Sequence, residues 1–106
     1  MILHAVLFRP KPGLTESDRD AMFAALHAAA RDIPTVKRFQ IGARCLHGAG
    51  YEALMTQDFP FAAFIEFDDL DGLQTYLRHP QHARLGELFY ALQEAALAYD
   101  YDLRAL

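Results

Sequence analysis

The sequence predicts an α+β fold in one domain spanning residues 1–106, with elements in the order β-α-β-β-α-(α)-β. Three observations carry this. The chain opens on a nearly unbroken apolar run, Met1–Phe8. Helical spacing follows over Met22, Leu26, Ala29 and Ile33, and from Val36 the pattern changes to alternation. A second strand, helix and strand succession then closes the chain.

The first strand, broken only by His4, reads as covered on both faces. Arg9-Pro10-Lys11-Pro12-Gly13 ends it, because two prolines remove ladder donors and glycine permits a turn. Thr15 or Ser17 caps the first helix, with Glu16, Asp18 and Asp20 near the positive end of its dipole. Phe23 and Ala30 widen the apolar stripe, and Pro34 stops the helix. Phe39, Ile41, Ala43 and Cys45 share one face of the second strand, opposite Arg38, Gln40, Gly42 and Arg44. Residues 47–58 are the least patterned, although Tyr51, Leu54 and Met55 make them unusually apolar for a loop.

An aromatic third strand runs from Phe59 to Phe67, and Asp68, Asp69 and Asp71 start a second helix through Leu73, Tyr76 and Leu77. It halts before His79-Pro80; a third helix places Leu85, Leu88, Phe89 and Leu92 inward, and Tyr99–Leu103 forms the last strand. This is the ferredoxin-like, or split βαβ, order. A four-stranded sheet with helices on one side leaves its other face bare. That face, carrying Phe, Ile, His and Tyr, is too apolar for a solvated monomer, so a two-fold homodimer enclosing a barrel is expected.

A net charge of −4 with ten scattered Lys and Arg excludes a nucleic-acid footprint. One cysteine, Cys45, allows no intrachain disulfide, and a buried, inert thiol in a cytoplasmic protein is expected. The N-terminal run lacks a basic flank and a small-residue cleavage site, and no apolar run nears the roughly 20 residues that span a bilayer. Eight Phe and five Tyr exceed what a minimal core needs, which points to an apolar interface, a cavity, or both.

Two histidines stand out. His4 is the only polar side chain in its strand, where a low-dielectric setting favours the neutral ring. His82 follows Pro80, which suits the first helical position, so the helix dipole disfavours imidazolium there. A neutral imidazole offers one donor and one acceptor, as acid–base work requires. For each, a hydrogen-bonded structural histidine is the competing reading. His79 reads as a cap, and Tyr76 as a packing residue with a polar handle. His79 and His82 have no acidic or cysteine ligand at a spacing that completes a metal site. Asp100 and Asp102 share a face, where they orient a histidine, hold a magnesium ion or simply solvate an edge strand. Glu66 is expected to pair with Arg38 or Arg44. No phosphate loop, nucleophile elbow or dinucleotide fingerprint is present, and no cofactor is expected.

The His4-x-x-x-Phe8 strand, the Ile33-Pro34 helix end, Tyr76-Leu77-Arg78-His79-Pro80-Gln81-His82 and the Asp100-Tyr101 strand together resemble the stress-responsive A/B barrel (Dabb) family of dimeric α+β barrels. The resemblance runs over nearly the whole chain, and Tyr-x-x-His-Pro-x-His is its most specific part. The family includes stress-induced proteins and a plant polyketide cyclase. By that likeness His4, His82 and Tyr76 are implied as site residues. The cyclase has a further tyrosine in the first helix, where this chain has Leu26 beside His27, a departure that speaks against the same cyclisation. The implied pocket lies beside the sheet, lined by Phe8, Phe23, Leu26, Phe64, Leu85 and Phe89, and takes a small apolar or aromatic molecule. Three functions stay open: a ligand-binding homodimer, a cofactor-free lyase or cyclase with His82 as general base, and a cofactor-independent monooxygenase resting on fold analogy.

Overall fold

The computed structural model describes residues 1–106. Strands β1 (Ile2–Pro10), β2 (Arg38–Ala43), β3 (Phe61–Phe67) and β4 (Gln93–Asp102) form one antiparallel sheet in the order β2-β3-β1-β4. Helices α1 (Glu16–Asp32), α2 (Leu70–Arg78) and α3 (Pro80–Leu92) cover one face, and a 3-10 turn at Gly50–Leu54 lies in the β2–β3 connection. The ferredoxin-like order expected from the sequence is the order found.

Local chemistry sets the helix ends. The Thr15 hydroxyl accepts from Asp18 N–H at 3.1 Å while the Asp18 carboxylate accepts from Thr15 N–H at 3.0 Å, a reciprocal box that satisfies two otherwise orphaned donors. Asp69 caps α2 by accepting from Gly72 N–H at 2.8 Å. His79 ends α2 and begins α3, its Nδ1 accepting from Gln81 N–H at 3.1 Å. Pro80 follows as the first residue of α3, where a missing N–H costs nothing. The two helices therefore meet in a sharp corner that fixes the entry angle of α3.

Strand parity decides which side chains meet the helices. Ile2, His4, Val6 and Phe8 of β1 stand opposite Phe67, Ile65, Ala63 and Phe61 of β3, and all point into the helical layer. There Ile65, Phe67 and Ala63 close against Met22, Ala25, Ala29 and Ile33 of α1, Leu73 and Tyr76 of α2 and Leu85 of α3. The opposite face carries Leu3, Ala5 and Leu7, then Phe64, then Leu97, Tyr99 and Tyr101. Phe64, Leu97, Tyr99 and Tyr101 are 38–52% exposed in the single chain. With extents of 43 × 39 × 17 Å, the molecule is one sheet and one helical layer thick. The Phe and Tyr expected on the bare face are there; the isoleucines and the histidine are not, because Ile41, Ile65 and His4 have the other parity.

Four expectations need correction. The sheet does not lose β1 at Phe8: Arg9 and Pro10 continue it, with a register shift between them, opposite Ala95 and Gln93. Pairing with β3 stops at Phe8, so the missing N–H of Pro10 leaves no bond to β3 unmade. β3 starts at Phe61 rather than Phe59, after Pro60. β4 starts at Gln93, six residues before Tyr99. Cys45 lies beyond β2 and is exposed, not buried. The pairing expected of Glu66 is present, with Arg38 Nε 3.6 Å from its carboxylate.

Candidate functional site

An apolar cavity of about 330 Å³ opens between the sheet and helices α1, α2 and α3. Its floor is the helix-facing row of β1, His4, Val6 and Phe8, with Ala63 and Ile65 of β3. Met22 and Leu26 of α1 form one wall, and Tyr76, His82, Leu85 and Phe89 form the other. A volume in the range of small-molecule sites, with few polar groups converging in an apolar lining, is the usual form of a ligand pocket.

The polar groups are His4, Tyr76 and His82. His4 is nearly buried, and its Nδ1 lies 2.5 Å from Asp100 Oδ1 on the adjoining strand. A carboxylate only accepts, so Nδ1 carries the hydrogen and donates, which leaves Nε2 for the cavity. The contact follows from register: Asp100 is the β4 partner of His4. Asp102, its neighbour on the same face, stands opposite Ile2. The Tyr76 ring touches both histidines, with centroids 6.1 Å from His4 and 4.7 Å from His82, and rests on Phe67 at 5.1 Å. Tyr76 is 2% exposed, and burial pushes its phenol far above the usual range, so it stays a protonated donor. Among occluded side-chain polar atoms only Gln93 Oε1 lacks a partner, so the Tyr76 hydroxyl is not a sealed, orphaned group.

His82 is the third residue of α3. Burial of its ring, and second the repulsion from His4 when both rings carry a proton, hold its pKa below the ordinary value of 6.5; a hydrogen bond to the Leu77 backbone acts the other way. The lowering is in the direction expected, with desolvation of the ring its leading cause. His82 is therefore a neutral base at pH 7. Its unfolded counterpart takes up a proton first as pH falls, so protons favour the unfolded chain. This contribution to stability is fully present above pH 6.5, is lost as pH drops from 6.5 toward the lower native value, and is constant below that. His82→Gln should flatten urea-measured stability across that interval, and the ring proton of His82 should titrate below 6.5 in NMR. A midpoint at or above 6.5 would contradict the burial of this ring.

Of the residues expected at the site, His4, Tyr76, His82, Phe8, Leu26, Leu85 and Phe89 all line the one cavity. Phe23 does not; it lies on α1 beside a neighbouring cavity. Phe64 does not either. Three residues from Phe61 and Phe67, it has the opposite parity and sits on the bare face of the sheet. Asp100 was not among the expected site residues, although orienting a histidine was one of the readings open for it and Asp102, and that contact with His4 is present. The alternation of Tyr99, Asp100, Tyr101 and Asp102 was visible, but only the β1–β4 register reveals that one of the two aspartates meets His4. No group of three or more His, Cys, Asp or Glu side chains is placed to hold a metal ion. No helix is long and apolar enough to cross a membrane.

The architecture defines a ferredoxin-like α+β protein with a pocket between sheet and helices. The chain matches the stress responsive A/B barrel domain family over residues 2–103, and it belongs to that family, Dabb. No curated protein matches it. Among solved structures it is similar to a dimeric ferredoxin-like protein of unknown function from Thermobifida fusca, at 25% identity and TM-score 0.74, covering 96% of this chain and 90% of that one. An Arabidopsis thaliana protein aligns over 100% of this chain and 98% of its own at 17% identity and TM-score 0.82. A hydroxynitrile lyase from Passiflora edulis aligns over 99% and 94% at 18% identity and TM-score 0.79. The last two likenesses are of fold.

Proposed function

We propose that this Dabb protein is a homodimer whose subunits each bind a small, largely apolar or aromatic carbonyl or hydroxyl compound and move a proton on it without a cofactor. The convergence of His4, Tyr76 and His82 on one apolar cavity carries this reading. His82, neutral and desolvated, is the proton acceptor. His4, oriented by Asp100 through Nδ1, presents Nε2 as an acceptor to a substrate hydroxyl, and the Tyr76 hydroxyl donates a hydrogen bond to the substrate oxygen. An acid and a base held apart by unlike surroundings suit proton abstraction next to a carbonyl, or from a hydroxyl whose loss breaks a carbon–carbon bond. The hydroxynitrile lyase of the same fold performs chemistry named for the second kind. The homodimer rests on the apolar sheet face and on the dimeric Thermobifida fusca protein.

A direct test uses 1-phenyl-1,3-butanedione in deuterated buffer and an aromatic hydroxynitrile, followed by NMR. Deuterium exchange or cleavage above background is expected. His82→Ala should reduce it by about 100-fold or more, the usual scale of a general base. Binding of both compounds, seen as a raised melting temperature, with no turnover of either would leave a binding protein and remove the base role.

A further inference from the structure

A second cavity of about 420 Å³ adjoins the first. Phe8, Met22 and Leu26 belong to the linings of both, so these side chains stand where the two cavities adjoin. Beyond them the lining is Ile41, Phe61, Leu92 and Phe23, and Phe23 is an aromatic left 57% exposed on α1. Such a side chain has no packing role in the core, but it does line this cavity. Met22 is the adaptable member of the shared three, an unbranched side chain that swings at little cost.

The second cavity is cationic. Lys11 and Arg19 line it, and neither has a carboxylate at ion-pair distance, whereas the neighbouring Arg9 is held by Glu94. Asp18, the one acidic residue of the lining, has its carboxylate tied to the Thr15 N–H in the helix cap. Gln93, opposite Pro10 and thus beside Lys11, holds the one occluded polar side-chain atom without a partner, Oε1. Turning that amide over places an N–H₂ donor at the same point. In a chain of net charge −4, two cations free of ion pairs thus line this one apolar cavity.

We infer that the two cavities together take one elongated amphiphile, a long-chain compound with an anionic end and a carbonyl or hydroxyl at its other end, whose anion meets Lys11 and Arg19 and whose chain passes Phe8, Met22 and Leu26 to bring that group to His4 and His82. This rests on the acid–base reading of the inner cavity and names its substrate class. The length is that of β1 from His4 to Pro10, six residues or about 20 Å at the rise of an extended strand, and it suits a long chain rather than a short one.

The test uses saturated fatty acids from hexanoate to hexadecanoate and the matching alcohols, with the ring protons of His4 and His82 observed by NMR. Long carboxylates should bind and shift both histidine signals; hexanoate should leave them in place. The alcohols should bind about ten-fold more weakly. The double variant Lys11→Ala with Arg19→Ala, two exposed positions outside the core, should remove that preference, and Leu26→Trp where the cavities adjoin should stop long carboxylates from shifting the histidines. Affinity independent of chain length, histidine signals unmoved by every carboxylate, or unchanged carboxylate binding in the double variant would each overturn the inference. If 1-phenyl-1,3-butanedione still shifts the histidines in those cases, the inner acid–base pocket stands and only the elongated substrate falls; if it does not, both fall.

Discussion

Leu97→Asp is expected to convert the protein from a dimer to a monomer at micromolar concentration in sedimentation equilibrium. Leu97 stands opposite Leu7 on the bare sheet face, among Phe64, Tyr99 and Tyr101, and it is 40% exposed in the single chain. A second sheet packed there would take the new carboxylate out of water, and the one cation lining the adjoining cavity, Arg44, is already held by Asp58 at 2.6 Å. Desolvating an unpaired charge in such a setting costs several kcal/mol, on the order of the whole advantage of many homodimers. The control is Tyr90→Asp. Tyr90 is 89% exposed on the outer side of α3, on the opposite layer from the bare face, so the same charge change there should leave the dimer intact. A Leu97→Asp protein that stays dimeric would place the dimer interface elsewhere, or show that the bare face is solvated. If Leu97→Asp dissociates the dimer, the cavity of about 560 Å³ on that face beside Phe64 and Leu97 is a space for partner side chains rather than for a ligand.

The order of elements was legible because each rests on local pattern and a local stop: the capping box at Thr15, Pro34, Asp69, and the His79-Pro80 corner. What escaped was set by pairing across the sheet. Gln93-Glu94-Ala95-Ala96-Leu97-Ala98 is made of good helix formers, and no breaker separates it from Leu92, so it reads as the continuation of α3. In the fold it is the first part of β4, because β1 has an edge beside Val6–Arg9 whose backbone groups need a partner. Tertiary context overrides propensity here. The same holds for the site. His4, Tyr76 and His82 come from three elements, and nothing within the sequence fixes that their rings meet. The tie from Asp100 to His4 depends on a register 96 residues apart in the chain. Phe64 is the opposite case, since its parity relative to Phe61 and Phe67 could be counted in the sequence alone and excludes it from the helix-facing cavity.

Tyr76 gives the second large effect, and its two substitutions separate packing from chemistry. Tyr76→Ala removes one of the largest fully buried side chains, a ring in contact with Phe67, His4 and His82 at once. Loss of the aromatic body together with the void it leaves should cost about 3–5 kcal/mol, the range for large-to-small aromatic changes in a core. For a domain of this size that is a large part of the total stability, and a strong fall in melting temperature is expected. Tyr76→Phe keeps the body and removes only the hydroxyl. That hydroxyl stands at the cavity and is not a sealed member of a core network, so the melting temperature should change little. On the proposed mechanism, proton transfer on a bound carbonyl compound should nonetheless fall, because the buried, protonated phenol is the hydrogen-bond donor assigned to the substrate oxygen. The pair of results therefore has a definite form: Ala loses the fold, and Phe keeps it while turnover drops. A Tyr76→Phe protein that is as stable and as active as the parent would reduce Tyr76 to a packing residue, leaving His82 and the Asp100-bound His4 as the whole of the acid–base machinery. A Phe variant that is itself strongly destabilised would show that the hydroxyl is bonded within the chain and serves the core before it serves any ligand.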